Sequence, residues 1–488
     1  MTLPLIAGDR ADEIATLRQF LDDAAFDAPH IQQLLRTENE LLARTRDVAV
    51  HLRRLGGDES ALGTLVKLFV LGVTMERDVV ETSLAPLGTD FFDALALVRE
   101  HEGGVRGTVR LVPHDEYVIA SDRPDEETRS DHVAGVHRPS ATLADLTIRR
   151  PVARVLDVGT GNGIQALLAA AHAEHVVATD VNARALVFAQ FNAHLNGVDN
   201  IEFREGSFLE PVAGERFDLI VANPPYVISP ESEFLFRDSG LGGDRVSEQV
   251  VQALPAHLED GGFATVMISW IQEGDDAVAR PRTWTKGSGC DTWIFHSRTD
   301  DALSTAAVWN RDAKSADEYA ERIDRWVDYY RAEAIEALAY GAIVLRRRQG
   351  ENWTRTAELP SGRLSAAGAH LERMFAAQDF LRSAGDKQLL AERFAFAEQT
   401  AIEQELTPSG DRGWQTGELT LKLTEGLGFR AGLDEMTGRL VLRIKPQWTL
   451  RETLDGLTDE LGLDRDELYR AGTELVRRLI DMGFVVPV

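Results

Sequence analysis

At 488 residues the chain is too long for one ordinary hydrophobic core, and typical domain sizes predict two to four folded units. With 44% hydrophobic and 27% charged residues it has a globular composition, and its single cysteine, Cys290, excludes an internal disulfide or a cysteine-rich metal cluster. The net charge of −27 weighs against a general nucleic-acid binder, although screening over about 8 Å leaves room for a local basic groove.

The first twenty residues are charged and helix-like, without the basic head, apolar run and small-residue cleavage site of a signal peptide. The longest apolar runs, such as Leu65 to Thr74, are interrupted by Lys67 and Gly72 and fall short of the ~20 residues of a membrane span. A cytoplasmic protein without membrane association is expected. Apolar residues at three- and four-residue spacing predict helices over Ala11 to Ala25, Pro29 to Arg54, Leu62 to Val80 and Phe91 to Glu100. From Val105 to Ala120 the period moves toward two, which predicts a strand pair. Residues 1–120 are therefore expected to form a helical domain with an appended strand pair, and the polar segment Ser121 to His132 a linker.

In residues 130–354 short β-branched runs alternate with helical stretches. Strands are predicted at Arg154 to Val158, Val176 to Thr179, Ile201 to Arg204, Leu219 to Ala222 and Phe263 to Ile268. Such alternation specifies right-handed crossovers and a parallel sheet covered on both faces. A sixth strand, Asp291 to Ser297, and a seventh, Ala342 to Arg347, flank an inserted helical region at about 300–340, whose longest run is Ala316 to Tyr340. Residues 355–488 are expected to hold a helical stretch, Ala366 to Glu405, a loop over Thr407 to Gly417, a hairpin over Phe429 to Ile444 turning at Met436 to Gly438, and two helices, the second capped by Asp464. Helices beside a hairpin suggest a winged-helix-like module.

The segment V-L-D-V-G-T-G-N-G, Val155 to Gly163, reads as a strand ending at Asp157 followed by glycines at 159, 161 and 163, with Thr160 and Asn162 between them. Glycine permits a sharp turn and close ligand approach, and the next helix offers free N–H groups. The dinucleotide-binding register fails, because its last glycine position is Ile164. A second strand ends at Asp180-Val181, 17 residues after Gly163, where an acid can accept both hydroxyls of an adenosine ribose. A third strand runs into Ser207-Phe208, and the aromatic ring is placed to cover an adenine. These features in this order point to S-adenosyl-L-methionine as cofactor.

Phe217 to Tyr226, F-D-L-I-V-A-N-P-P-Y, is a buried strand running into Asn-Pro-Pro-Tyr. The prolines fix the backbone and leave carbonyls free. The Asn223 side-chain oxygen and the Pro224 carbonyl can each accept a hydrogen bond from a planar NH₂ group, orienting the nitrogen toward a methyl donor, while Tyr226 stacks on the flat acceptor. Neither a catalytic triad nor a metal is required.

Gly159 to Gly163, Asp180, Ser207-Phe208 and Asn223 to Tyr226 resemble the class I methyltransferases of the HemK type, which methylate the side-chain amide of glutamine in release factors; Arg138-Pro139 looks like that family's R-P motif. The resemblance covers roughly Val133 to Trp270. It implies a Rossmann-like seven-stranded domain, with Asp157, Gly159, Thr160, Gly161, Asn162, Gly163, Asp180, Val181, Ser207, Phe208 and Asn223 binding S-adenosyl-L-methionine. It implies Asn223, Pro224 and Tyr226 as the catalytic set. It departs from the family in lacking an acid among Ser140, Ala141 and Thr142, and in the long connection between the sixth and seventh strands. The expected partner is a translation factor or ribosomal protein; the alternative is N6-adenine or another exocyclic amine in ribosomal or transfer RNA, since Asn-Pro-Pro-Tyr occurs in both groups.

Three further features are weighed. Trp326, Tyr329 and Tyr330 are candidate substrate contacts, although their helical spacing favours core packing. Phe236 to Arg245 resembles the family's glycine-rich stretch and is expected to form a lid. Arg346 to Arg348, Arg443 with Lys445, and Arg477-Arg478 are the clearest basic clusters, with solvated faces as the ordinary reading.

Overall fold

The computed structural model describes residues 6–37, 47–124, 129–231, 242–311, 313, 315–360, 364–410 and 413–488. The described residues fall into two compact units, one within Met1–Ala144 and Arg150–Glu358 and the other within Asp145–Arg149 and Leu359–Val488. The first unit holds both the central sheet and the N-terminal helices.

The sheet has eight strands, one more than expected: β1 (Val152–Val158), β2 (Ala173–Asp180), β3 (Ile201–Glu205), β4 (Phe217–Ala222), β5 (Leu258–Gln272), β6 (Cys290–Asp301), β7 (Ala337–Arg347) and β8 (Thr354–Glu358). Their spatial order is β8-β6-β7-β5-β4-β1-β2-β3. Only β7 runs against its neighbours β5 and β6, and β8 adds to the edge in parallel with β6. The chain steps from β1 outward through β2 to β3 and then returns to β4 on the other side of β1. That reversal opens a crevice at the carboxyl ends of β1 and β4, the usual ligand position in open α/β sheets.

The central strands are near-continuous apolar runs because helices cover both faces. Leu156, Val158, Ile220, Ala222, Ala264 and Val266 belong to one buried cluster. Helix Ala183–Leu195, after β2, is apolar nearly all round and serves two cores. Its Ala185, Phe188, Phe191 and Leu195 join the core of the N-terminal region.

That region contains helices Ala11–Asp23, Ala28–Leu35, Val48–Leu55, Ala61–Leu65, Arg77–Ser83 and Gly88–Ala94, with a π-helical turn, Val66–Leu71, continuing the fourth. Where one strand pair was expected there are two, Val98–His101 with Gly104–Gly107 and Arg110–His114 with Tyr117–Ser121. The predicted helix Phe91 to Glu100 ends early, at Ala94, because its last residues enter the first pair. Two asparagines one helical turn apart bind the second pair to helix Ala183–Leu195. Asn192 accepts from the Ala120 N–H (2.8 Å) and donates to the Ala120 carbonyl (2.9 Å), and Asn196 repeats the pattern at Val118 (2.8 and 2.9 Å).

The second unit departs further from expectation. The predicted helix Ala366 to Glu405 is two helices, Ala367–Ser383 and Asp386–Ala391, followed by strand Phe394–Phe396. Residues from Thr400 onward form a strand, Thr400–Pro408, paired with Trp414–Leu423, which pairs in turn with Arg430–Leu433. The predicted turn at Met436 to Gly438 lies inside helix Glu435–Val441, because the Asp434 carboxylate caps the Thr437 N–H at 2.8 Å. Helices Leu450–Leu461 and Arg465–Asp481 follow, the latter capped by Asp464 through the Glu467 N–H at 2.9 Å.

Candidate active site

Parallel register brings the site's parts to one level. Val158 of β1 pairs with Thr179 of β2 and with Ala222 of β4, so Gly159, Asp180 and Asn223 emerge side by side at the strand ends. Gly159, Thr160, Gly161, Asn162, Asp180, Val181, Ser207, Phe208, Asn223, Pro224 and Tyr226 all line one cavity. Two predicted residues do not line it. Asp157 is 1% exposed and holds the loop from beneath, accepting the Thr160 hydroxyl proton at 2.6 Å. Gly163 faces away, and a Cβ there would lie 3.0 Å from both Cα and Cβ of Ala189, with φ at +85°. Its glycine serves close helix packing.

Gly159 (φ +71°) and Gly161 (φ +56°) differ from it in that an added Cβ at either would meet nothing within 4 Å. The loop is pinned by its backbone: the N–H groups of Gly159 and Thr160 both donate to the Thr179 carbonyl at 2.9 Å. The Gly161 N–H donates to one Asp180 carboxylate oxygen at 2.9 Å and the Asn182 N–H to the other at 2.8 Å. Each oxygen keeps a further lone pair for a ligand hydroxyl. Burial raises the Asp180 pKa above the ordinary carboxylate value, against these N–H donors. Burial also pushes the Asp157 carboxyl up to about 7, opposed by the Thr160 hydroxyl and aided by the nearby Asp180 charge. Phe208 is held at φ +45°, unusual for an aromatic residue, with its carbonyl accepting from the Thr179 hydroxyl at 3.2 Å.

Beyond the Arg138-Pro139 motif, whose Pro139 lines the cavity, a further lining segment was not read from the sequence: His132, Val133, Ala134, Gly135, His137 and Ser140 also line it. Asn182 donates to the Asp131 carbonyl (3.0 Å), Asn162 to that of Ala134 (2.9 Å) and Gln165 to that of Ser140 (2.7 Å). The polar stretch Ser121 to His132, expected as a linker, is anchored instead. Asp122, 4% exposed, takes a bidentate pair from buried Arg184 (2.5 and 3.2 Å) and accepts the Val133 N–H at 2.8 Å. Residues 125–128 of that stretch lie outside the described residues. Burial keeps the His132 ring below the ordinary histidine pKa, with Asp122 pulling the other way.

At the acceptor end, the Asn223 side-chain oxygen Oδ1 is buried and has no hydrogen-bond partner among the described residues. An amide acceptor in that state costs free energy unless a ligand supplies a donor. The next residues are held from two sides. The Ser269 hydroxyl of β5 donates to the Tyr226 carbonyl, and the Tyr330 hydroxyl of helix Ala316–Ala332 donates to that of Ile228 at 2.8 Å. Trp326 and Tyr330 are 0% and 1% exposed, so they act as core and hold the acceptor loop. Tyr329 accepts the Gly243 N–H at 3.0 Å. Burial raises the Tyr226 phenol pKa strongly, so it stays neutral. The expected lid, Phe236 to Arg245, lies mostly outside the described residues.

The basic clusters are engaged locally. Arg346 and Arg348 pair with fully buried Asp291 at 2.7 and 2.8 Å, Arg443 pairs with Glu460, and Arg477 pairs with Asp386 at 2.9 Å. No lysine or arginine is among the described residues lining the cavity. Among the described residues no group of three His, Cys, Asp or Glu side chains is placed to hold a metal, and no helix is long and apolar enough to cross a membrane.

The sheet order, glycine loop, strand-end acid and Asn-Pro-Pro-Tyr corner are the arrangement expected of a class I methyltransferase fold. Residues 136–271 match the family described as the methyltransferase small domain, and the flanks, 23–108 and 372–487, match two families described as domains of unknown function. The chain is 38% identical over 134 residues to the release factor glutamine methyltransferase of Xylella fastidiosa, covering 24% of this chain and 48% of that protein. It is 35% identical over 144 residues to the corresponding enzyme of Geobacter sulfurreducens (27% and 50%), and 37% identical over 126 residues to the ribosomal protein uL3 glutamine methyltransferase of Bradyrhizobium diazoefficiens (23% and 40%). The chain thus spans about half the length, or less, of these relatives.

Proposed function

We propose that this chain transfers a methyl group from S-adenosyl-L-methionine to the side-chain amide nitrogen of a glutamine in a protein of the translation machinery, in the cytoplasm. The observation that carries the reading is the buried, unpartnered Oδ1 of Asn223, beside the open glycine loop and Asp180 in one cavity. The residues fit the cofactor: Gly159 and Gly161 leave room for close approach, the spare Asp180 lone pairs suit ribose hydroxyls, and Ser207-Phe208 border the far side. When bound, S-adenosyl-L-methionine supplies an electrophilic methyl group on a positively charged sulfur.

The protein's part is positioning. Asn223 Oδ1 and the Pro224 carbonyl each accept one N–H of the acceptor amide, which aims the nitrogen lone pair at the methyl group, and Tyr226 packs against the flat group. Burial holds the Tyr226 phenol protonated, so it presents no phenolate beside the electrophile. The glutamine-modifying relatives support the amide acceptor, and the lack of cationic lining among the described residues disfavours one flanked by phosphates.

The test incubates the purified chain with methyl-labelled cofactor and lysate from a strain lacking the protein. Label lost on protease treatment and recovered as N5-methylglutamine is expected; label lost to nuclease alone would overturn the protein acceptor.

A further inference from the structure

We propose that the insertion between β6 and β7 places Trp309 as a specificity-determining wall of the acceptor subsite, its indole bearing on the flat acceptor group. This rests on the methyltransferase reading above. β6 ends and β7 begins at the carboxyl ends of the parallel strands, so the insertion, with helices Ala302–Trp309 and Ala316–Ala332, emerges on the side where the cavity opens. Trp309 closes the first helix and lines the cavity together with Asn223, Pro224 and Tyr226. It is the one described insertion residue to do so.

Its position is tied to the acceptor corner through a short chain of contacts. The Trp309 indole N–H donates to the Tyr340 hydroxyl of β7 at 3.5 Å. Tyr340 pairs across the sheet with Ser269 of β5, whose hydroxyl holds the Tyr226 carbonyl. The Arg298 guanidinium lies 4.4 Å from the Tyr340 ring centroid and steadies it. Trp309 and Tyr226 pack against the same buried apolar cluster, so a displacement of the inserted helix would be felt at both. The half-buried indole adds a large apolar surface to an acceptor corner that Pro224, Pro225, Tyr226 and Val227 also line, suited to an uncharged planar carboxamide.

The test compares two ligands by calorimetry on the full chain. One is S-adenosylhomocysteine, which lacks an acceptor group. The other is a bisubstrate analogue in which nitrogen replaces the cofactor's sulfur and a two-carbon linker joins it to the amide nitrogen of acetyl-glutamine methylamide. Trp309→Ala should weaken the bisubstrate analogue about tenfold and leave S-adenosylhomocysteine within about twofold, while Trp309→Phe should retain most of the affinity. Unchanged bisubstrate affinity in Trp309→Ala, or equal weakening of both ligands, would overturn the proposal. So would a wild-type chain that binds both ligands alike. A wild-type chain that binds neither would instead sink the methyltransferase reading itself.

Discussion

Asn223 offers a buried oxygen with no partner among the described residues, and substitution isolates its role. Asn223→Ala removes the oxygen that orients the acceptor and leaves the glycine loop and Asp180 in place, so turnover should fall on the order of 100-fold or more while S-adenosylhomocysteine affinity changes little. Near-wild-type turnover would refute its role. Asp157 offers a pH test. With its carboxyl pushed up to about 7 in the folded chain and near 3.8 when unfolded, both states are protonated below pH 4 and no penalty applies. As pH rises from 4 to 7 the unfolded state ionises first, and folding stability is lost by up to about 4 kcal/mol. Asp157→Asn still accepts from the Thr160 hydroxyl but cannot ionise, so the melting temperature of wild type relative to the variant should drop between pH 4.5 and pH 8; a constant gap would reject the assignment. At this scale the glycine loop and Asn-Pro-Pro-Tyr are legible in sequence because their backbone demands are local. Which loop residues face inward is not, since Asp157 and Gly163 share the motif yet point at the helix and loop behind it.

The elements that place these residues are legible where burial is two-sided and illegible where partners are remote. The parallel strands announce themselves as apolar runs, whereas the strand Thr400–Pro408 carries two glutamates and a glutamine among its apolar residues and reads as helix as far as Glu405. What holds it extended is across the sheet, where Glu403 pairs with both Lys422 and Arg430. Residues 121–132 likewise read as solvated linker because Arg184, the partner of Asp122, is 62 positions away. Gly438 looks like a turn residue, but its missing Cβ makes room for Leu419, whose side chain would lie 2.9 Å from it. The strongest element-level device is Asn192, 0% exposed, which serves the Ala120 N–H and carbonyl and also donates to the Asn162 carbonyl of the glycine loop at 2.8 Å. Asn192→Leu fits the volume but strands three buried backbone groups, at about 1–3 kcal/mol each. The variant should lose several degrees or more in melting temperature and bind S-adenosylhomocysteine more weakly; a variant as stable as wild type would show that the strand pair and loop do not depend on this latch.

Over the whole molecule the balance of charge decides what can approach. The chain carries 79 acidic against 52 basic residues, and within the basic clusters Arg346 and Arg348 are paired with Asp291, Arg443 with Glu460 and Arg477 with Asp386. Phosphate binding requires cations free to release counterions, typically several per site, and Arg346 and Arg348, held by the buried Asp291, supply less of that gain. The acidic surface instead repels a polyanion and attracts basic patches, with an effect confined to about 8 Å at physiological salt. Both considerations argue that a methylated nucleic acid would be a poor acceptor and that a basic protein would dock faster. In fluorescence anisotropy at about 0.15 M salt, labelled single-stranded and hairpin RNA should therefore show no saturable binding to the full chain below about 10 μM, a range in which even non-specific nucleic-acid binders associate. Submicromolar binding that weakens steeply with added salt would mean that residues outside the described set build a cationic groove, and would move the acceptor from a glutamine amide to a base.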